Sequence, residues 1–233
     1  MSKRLCLVGA TGLVGRALIA RAAERNDVRI VGVARREMVL PQGARMEMLI
    51  APTQGWTDAI ASANASVLVC ALGTTIKAAG SEEAFRAVDH DLVLASAKAA
   101  REAGIERMIA VSSVGADTGA KAFYLRVKGE TEAALGKLGF KRLDILRPGL
   151  LVGQREGEPR PAERMGMALS PMLDVLLHGG LRKYRSIRAT RLADVILALA
   201  HEKAGGRFIH EHDGFARILR RAGDYARDGF SPA

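Results

Sequence analysis

A tyrosine and a lysine stand four residues apart in this 233-residue chain, at Tyr124 and Lys128. On a helix this spacing places the phenol and the ammonium next to each other on one face. A lysine beside a phenol stabilises the phenolate, which prepares the tyrosine for general acid–base catalysis. A serine pair, Ser112 and Ser113, lies just upstream at the end of an apolar run. The alternative is an exposed Tyr and Lys on a solvated helix face, because this spacing often occurs by chance.

A glycine-rich turn near the start of the chain has the sequence GATGLVG. It lies between a predicted strand and a predicted helix, where glycines permit a tight turn and let the backbone approach a pyrophosphate. The N-terminus of the helix adds free N–H groups and the positive end of its dipole. This context favours dinucleotide binding over a turn that merely packs the helix on the strand. The predicted binding residues are Gly9, Thr11, Gly12, Leu13, Val14 and Gly15.

Two arginines, Arg35 and Arg36, follow the second predicted strand, about 20 residues after the glycines. An acidic residue at this place binds the ribose 2′-hydroxyl of NAD, whereas an arginine suits the 2′-phosphate of NADP. A guanidinium is always charged and binds phosphate in a bidentate manner. The sequence therefore favours NADP(H) over NAD(H), the alternative being that Arg36 points to solvent. After the fourth predicted strand, the segment Ala71, Leu72 and Gly73 is also predicted to approach the cofactor.

Short apolar runs alternate with longer helical patterns over the first part of the chain. This alternation predicts an α/β fold, a doubly wound parallel sheet of the Rossmann type built from right-handed βαβ units. The predicted strands are residues 5–8, 28–34, 45–50, 66–72, 107–113 and 142–146, and the predicted helices are residues 12–25, 53–63, 81–103 and 123–138.

The composition of the sequence changes beyond residue 153, where residues 154–163 are polar and contain two prolines. We expect a dinucleotide-binding core over residues 1–153 and a small C-terminal substrate cap over residues 154–233, both within one domain. Residues 154–163 are predicted to form a loop and residues 162–177 a helix or lid. A helix over 191–204, a strand over 207–211 and a last helix over 215–225 complete the prediction.

The composition of the chain indicates which binding partners and which cellular compartment to expect. The net charge is +10, but aromatic residues make up only 4% and long Lys/Arg runs are absent, so nucleic-acid binding is not expected. No apolar stretch approaches the roughly 18–20 residues of a membrane helix. The interrupted apolar run at the N-terminus argues against a signal peptide. Cys6 and Cys70 lie inside apolar runs and are expected to be reduced core residues. We therefore expect a cytoplasmic protein with a small-molecule substrate, its oligomeric state open.

Five motifs in order, GATGLVG, ALGTT, VSSVGAD, YLRVKGE and LRPG, make residues 4–153 resemble the short-chain dehydrogenase/reductase superfamily. More narrowly, four segments resemble the atypical subgroup that contains the HIV-Tat-interacting oxidoreductase and its bacterial NAD(P)H-binding relatives: residues 70–75, 111–117, 123–132 and 147–151. The resemblance implies that Ser113 polarises a substrate carbonyl, that Tyr124 is the general acid/base, and that Lys128 holds the nicotinamide ribose. It also implies that Pro148, Gly149 and the adjoining Leu151 flank the nicotinamide.

The chain departs from the family at an asparagine that completes a proton relay on the helix after the fourth strand. The only asparagines are Asn26 and Asn64, and Asp89 occupies the comparable region. His210 and His212 lack a third ligand nearby in sequence, so no metal site is predicted. We expect an NADP(H)-dependent oxidoreductase acting on a carbonyl or alcohol. An NADP(H)-sensing interaction protein with little catalysis and a nucleotide-sugar epimerase/dehydratase stay open as alternatives.

Overall fold

Seven parallel strands form the main sheet of the molecule. The computed structural model describes residues 2–40, 43–44, 46–153 and 177–227. The strands run in the order β3-β2-β1-β4-β5-β6-β9, and the short strands β7 and β8 pair separately in parallel. The strand bounds are β1 Lys3–Val8, β2 Val28–Ala34, β3 Met46–Ile50, β4 Val67–Cys70, β5 Arg107–Val111, β6 Arg142–Leu146, β7 Leu151–Val152, β8 Ile187–Arg188 and β9 Gly206–His210. The predicted doubly wound Rossmann-type sheet is confirmed.

Helices cover both faces of this sheet, which explains why its central strands are apolar throughout. The helix bounds are α1 Leu13–Ala23, α2 Trp56–Ser62, α3 Ile76–Ala79, α4 Glu82–Arg86, α5 Val93–Glu102, α6 Phe123–Leu135, α7 Ala189–His201 and α8 His212–Arg227. Helices α1, α7 and α8 share one core with the sheet, and α2, α5 and α6 contribute to the other. The strand order reverses between β1 and β4, and the carboxyl ends of strands at such a reversal form the usual ligand crevice.

The C-terminal residues contribute to the sheet layer and do more than cover it. Strand β9 pairs with β6 as the seventh strand, with Leu146 opposite His210. Helix α7 packs on α1, and Arg21 of α1 forms an ion pair of 2.7 Å with Asp194 of α7. The sequence predicted a change at residue 153 but did not predict these contacts between the two parts of the chain. The predicted loop over 154–163 and nearly all of the predicted lid over 162–177 lie outside the described residues.

One predicted helix, over residues 81–103, is instead three segments. Helix α4 ends at Arg86, residues Ala87–Leu92 form a π-helical stretch, and α5 begins at Val93. A π-helical turn contains an extra residue and often marks a functional site. Here the stretch contains Asp89, which is completely buried.

Candidate functional site

The glycine turn between β1 and α1 packs tightly against the loop that follows β4. Gly9 has a φ of +88°, and a Cβ placed on it would lie 2.5 Å from the carbonyl oxygen of Ala71. A Cβ on Gly15 would lie 2.2 Å from the carbonyl oxygen of Gly9. By contrast, a Cβ on Gly12 would find its nearest neighbour at 3.4 Å, which is ordinary contact. Packing therefore requires Gly9 and Gly15 but leaves another role for Gly12.

Gly12 is the N-cap residue of α1, and no side chain caps this helix. The first-turn N–H groups of a helix have no partner within the helix, so they are donors for an anion placed at its end. This arrangement fits the phosphates of a dinucleotide at the reversal of the strand order.

A cavity of about 420 Å³ opens beside this turn, within the size range of small-molecule sites. It is lined by Gly9, Ala10, Thr11, Val33, Ala34, Arg35, Arg36, Trp56, Leu72, Val88 and Leu92. The structure thus brings together three predicted parts of the cofactor site: the glycine turn, the arginine pair and the segment after β4. Its backbone donors, cationic rim and apolar walls suit the adenosine half of a dinucleotide.

Both arginines of the predicted pair are exposed at the end of β2, and both line the cavity. Within the described part of the chain, neither Arg35 nor Arg36 forms an ion pair with a carboxylate. Their guanidinium groups are therefore available to an anionic ligand, which is what a 2′-phosphate requires.

Several predicted binding residues do not line this cavity. Val14 is 6% exposed and belongs to the core between α1 and the sheet, and Leu13 packs toward Gly153. Ala71 contributes its backbone against Gly9, whereas Gly73 lies further along the loop. These residues shape the turn and its supports more than they form the wall of the cavity.

The predicted acid–base pair lies on α6. Lys128 is 5% exposed, and its Nζ lies 3.9 Å from the point where a Cβ on Gly73 would sit. Tyr124 is half-buried one helical turn earlier, and its ring packs against Phe85 with centroids 5.4 Å apart. The ammonium also forms an ion pair with Asp89, with Nζ 2.7 Å from Oδ1. The lysine therefore lies directly beside the loop that follows β4, and Leu72 of this loop lines the cavity.

The two serines after β5 have different surroundings. The hydroxyl of Ser112 donates to the buried carboxylate of Glu132, which also binds the guanidinium of Arg147. Within the part of the chain that the structure describes, the hydroxyl of Ser113 makes a single long hydrogen bond, of 3.3 Å, to the carbonyl of its neighbour Val114. Ser112 is thus held in a structural network, and Ser113 has a hydroxyl free to bind a ligand.

The predicted nicotinamide-flanking segment runs close to these serines. The N–H of Val114 donates to the carbonyl of Pro148 at 2.9 Å. The backbone of Gly149 lies against Arg185, since a Cβ there would come within 2.4 Å of the Arg185 carbonyl oxygen. Leu151 is half-buried in β7, opposite Ile187 of β8. The segment therefore joins the end of β6 to the C-terminal part of the chain beside Ser113.

Sequence reasoning missed several residues of the site. Trp56, Val88 and Leu92 line the cavity, and the indole N–H of Trp56 donates to the carbonyl of Ala51. Apolar residues at a pocket wall look the same in sequence as core residues, so no signal distinguished them. Arg147 lies inside the motif LRPG and Glu132 lies two residues after YLRVKGE, but their pairing across two elements had no local signature.

Among residues 2–40, 43–44, 46–153 and 177–227, no cluster of three or more potential ligands is positioned to hold a metal ion. His210 instead pairs with the buried carboxylate of Asp144, with Nε2 2.8 Å from Oδ1. Within the same ranges, no helix combines the length and apolar character needed to cross a membrane.

A glycine turn at the strand reversal, a cavity with a cationic rim and a buried lysine beside it define a Rossmann-type NAD(P)-binding protein. The chain belongs to the NAD(P)H-binding family, whose model matches residues 9–203. This agrees with the resemblance to atypical short-chain dehydrogenases/reductases at the level of the dinucleotide-binding domain.

Curated relatives match about two thirds of the chain. The mitochondrial protein fmp52 of Emericella nidulans is 42% identical over 166 residues, which are 68% of this chain and 71% of that protein. The mitochondrial protein FMP52 of Eremothecium gossypii is 40% identical over 151 residues, 64% of this chain and 67% of that protein. The expected cytoplasmic location is wrong, because these relatives are named as mitochondrial proteins. Buried free thiols fit any reducing compartment and do not single out the cytoplasm.

Solved structures share the fold. WbmG of Bordetella bronchiseptica, in complex with NAD, has a TM-score of 0.65 and 16% identity, covering 96% of this chain and 79% of that chain. The UDP-glucose 4-epimerase of Thermotoga maritima has a TM-score of 0.67 and 12% identity, covering 95% and 83%. At these identities the similarity establishes the architecture alone.

Proposed function

We propose that this chain is an NADP(H)-dependent oxidoreductase of the atypical short-chain dehydrogenase/reductase type, with motifs that resemble those of the HIV-Tat-interacting oxidoreductase subgroup. It transfers a hydride to a carbonyl or from an alcohol of a small-molecule substrate. The observation that carries the proposal is the buried Lys128, whose ammonium lies at the loop after β4, one helical turn from Tyr124. The proximity of Lys128 to this loop, whose Leu72 lines the cavity, supports an acid–base role for the pair.

The preference for NADP(H) rests on Arg35 and Arg36. They are exposed, line the cavity and lack a carboxylate partner within the described residues. The wall beside them is apolar, formed in part by Val33 and Trp56, and suits an adenine ring. A 2′-phosphate on the adjacent ribose then meets fixed positive charge in place of an acidic residue.

The proposed chemistry divides among three side chains. A nicotinamide bound at the site supplies or accepts the hydride. During reduction, the hydroxyl of Tyr124 donates its proton to the substrate oxygen as that oxygen gains negative charge. The hydroxyl of Ser113 donates a hydrogen bond to the same oxygen, and Lys128 holds the ribose hydroxyls. Hydride and proton together convert a carbonyl to an alcohol, and the reverse sequence oxidises the alcohol.

The experiment is a panel of aldehydes and ketones offered with NADPH, followed by absorbance. With any substrate that reacts, Tyr124→Phe should lower turnover by at least about 100-fold. The variant should bind NADPH as the wild type does. Tyr184→Phe is a matched control, because Tyr184 is 44% exposed on a separate segment. Turnover that survives in Tyr124→Phe would remove this residue from its proposed role.

A nucleotide-sugar epimerase or dehydratase is the second candidate, favoured by the solved structures that share the fold, two of which contain NAD and a UDP-sugar. Such enzymes regenerate their cofactor within one cycle and keep it bound. Purified protein that carries stoichiometric NAD and binds UDP-hexoses would support this candidate. Protein isolated without nucleotide, with NADPH bound more tightly than NADH, would count against it.

An NADP(H)-sensing interaction protein is a further candidate, because Asp89 stands where many members of the superfamily have their relay asparagine. Dinucleotide-dependent partner binding that persists in Tyr124→Phe would support it. Steady NADPH oxidation with a carbonyl substrate would oppose it.

A further inference from the structure

The ion pair between Asp89 and Lys128 is the most deeply buried charged contact near the proposed site. Asp89 has no exposed surface, and the lysine side chain is only 7% exposed. One carboxylate oxygen, Oδ1, lies 2.7 Å from the ammonium of Lys128. The other, Oδ2, accepts a hydrogen bond of 2.9 Å from the N–H of Thr74. A single side chain thus joins the acid–base helix to the loop after β4.

The local backbone explains how an aspartate reaches this position. Asp89 lies in the π-helical stretch Ala87–Leu92, where the extra residue leaves backbone carbonyls without their normal helical donors. The hydroxyl of Thr131 lies 3.0 Å from the carbonyl oxygen of Asp89 and 2.8 Å from that of Val127, so its one proton is shared between the two. Helix α6 therefore contacts Asp89 at two points, through Thr131 at its backbone carbonyl and through Lys128 at its carboxylate.

The negative charge of Asp89 determines how firmly the ammonium group of Lys128 is held. A buried ammonium needs an anion or several acceptors, because leaving a charge unpaired in the interior is strongly unfavourable. An asparagine at this position would offer a carbonyl oxygen but no negative charge. The aspartate therefore holds the ammonium more firmly than the amide would, and holds it next to Gly73 and Thr74.

Resting on the proposed function, we infer that Asp89 is a positioning residue that acts through Lys128. It fixes the ammonium at the loop after β4 and thereby sets the affinity of the site for the nicotinamide half of NADPH. The adenosine half binds beside Arg35 and Arg36, away from the ammonium of Lys128, so its affinity should not change when only the charge of Asp89 is removed.

The test compares two ligands in three variants: Asp89→Asn, Lys128→Met and the double variant. NADPH binding is followed by its fluorescence, and 2′,5′-ADP, which lacks the nicotinamide half, by calorimetry. We expect NADPH to bind about tenfold more weakly in each single variant, the effect of losing one charge-assisted hydrogen bond. The double variant should bind NADPH no more weakly than Lys128→Met, because Asp89 acts through the lysine. Affinity for 2′,5′-ADP should stay within about twofold throughout.

Glu130→Gln provides the matched control. Glu130 lies on the same helix α6 and pairs with Arg86 of α4 at 2.6 Å, but both side chains are partly exposed. Replacing this carboxylate by an amide should leave both affinities unchanged.

Three results would overturn the inference. Equal weakening of NADPH and 2′,5′-ADP in Asp89→Asn would show a structural role, and unchanged NADPH binding would show no role. If Asp89→Asn fails to fold, the double variant, which leaves no unpaired charge, replaces it. NADPH binding clearly weaker in the double variant than in Lys128→Met would then show that Asp89 acts independently. A wild-type protein that does not bind NADPH at all would refute the proposed function itself, before any variant is compared.

Discussion

The guanidinium of Arg147 binds both carboxylate oxygens of Glu132, with Nη2 2.6 Å from Oε2 and Nε 3.0 Å from Oε1. Glu132 is 3% exposed on α6, and Arg147 follows β6. The hydroxyl of Ser112, which follows β5, donates to the same carboxylate. One buried glutamate therefore ties the helix of Tyr124 to the ends of two strands, next to the residues expected to contact substrate.

Replacing Glu132 by Gln should lower the free energy of unfolding by about 2–3 kcal/mol. The loss follows from leaving the Arg147 guanidinium without its anion, and partial exposure of that side chain, 21%, limits it. Denaturation by urea measures the effect. Glu130→Gln on the same helix breaks a more exposed pair and should change stability by less than about 1 kcal/mol. Similar losses in both variants would contradict the buried network.

Substitutions at two glycines of the turn should separate its role in packing from its proposed role in binding the cofactor. Gly9→Ala should destabilise the fold by at least about 2 kcal/mol, because its Cβ would meet the Ala71 backbone and its φ is positive. Gly12→Ala meets only ordinary contacts and should change stability by less than about 1 kcal/mol. The added methyl group nevertheless stands where a pyrophosphate approaches α1, so NADPH affinity should fall at least about tenfold. Thermal unfolding and NADPH titration measure the two effects, and undiminished binding in Gly12→Ala would show that no phosphate binds at this turn.

The arginine pair should discriminate between the two dinucleotides. In Arg35→Ala or Arg36→Ala, at least one variant should bind NADPH about tenfold more weakly, since a charged contact to the 2′-phosphate is lost. NADH, which lacks this phosphate, should bind as before. Arg29→Ala is the control, because Arg29 is exposed near the other end of β2. Parallel weakening of NADH and NADPH in both variants would exclude 2′-phosphate recognition.

The two thiols should resist modification by thiol reagents in the folded protein. Burial raises the pKa of Cys6 to about 12 and that of Cys70 to about 11. Both thiols therefore stay protonated well above neutral pH, and at about pH 8 the reactive thiolate is at most roughly one part in a thousand. Ellman's reagent should detect no thiol in the native protein and two after guanidinium denaturation. One thiol that reacts at the rate of free cysteine in the native state would disprove the burial of that residue.

The sequence predicted the features that depend on neighbouring residues. Strand β2 has the predicted bounds, Val28–Ala34, because its apolar and β-branched residues are buried on both faces of the sheet. The glycine turn and the arginine pair were also predicted, and the structure places both at one cavity. These signals lie within a few residues of one another, so pattern and spacing suffice to find them.

Other features depend on contacts between distant parts of the chain. Asp89 lies in a π-helical stretch, and its backbone carbonyl accepts a hydrogen bond from Thr131, which is 42 residues away in sequence. The seventh strand, β9, pairs with β6, although residues 147–205 separate the two strands in sequence. Helical periodicity and a polar linker contain no information about such pairings, so an uninterrupted helix and a small cap within the same domain were the natural expectations.

The packing of α1 on α7 has a consequence for the synthesis of the protein. Arg21 and Asp194 meet across 173 residues of sequence, and the buried face of α1, including Leu18 and Ile19, is covered in part by α7. The ribosome adds roughly 5–20 residues per second, so this face awaits its cover for on the order of ten seconds. The segment that contains the glycine turn is thus made well before the helix that covers it, and its folding is completed only once α7 is available.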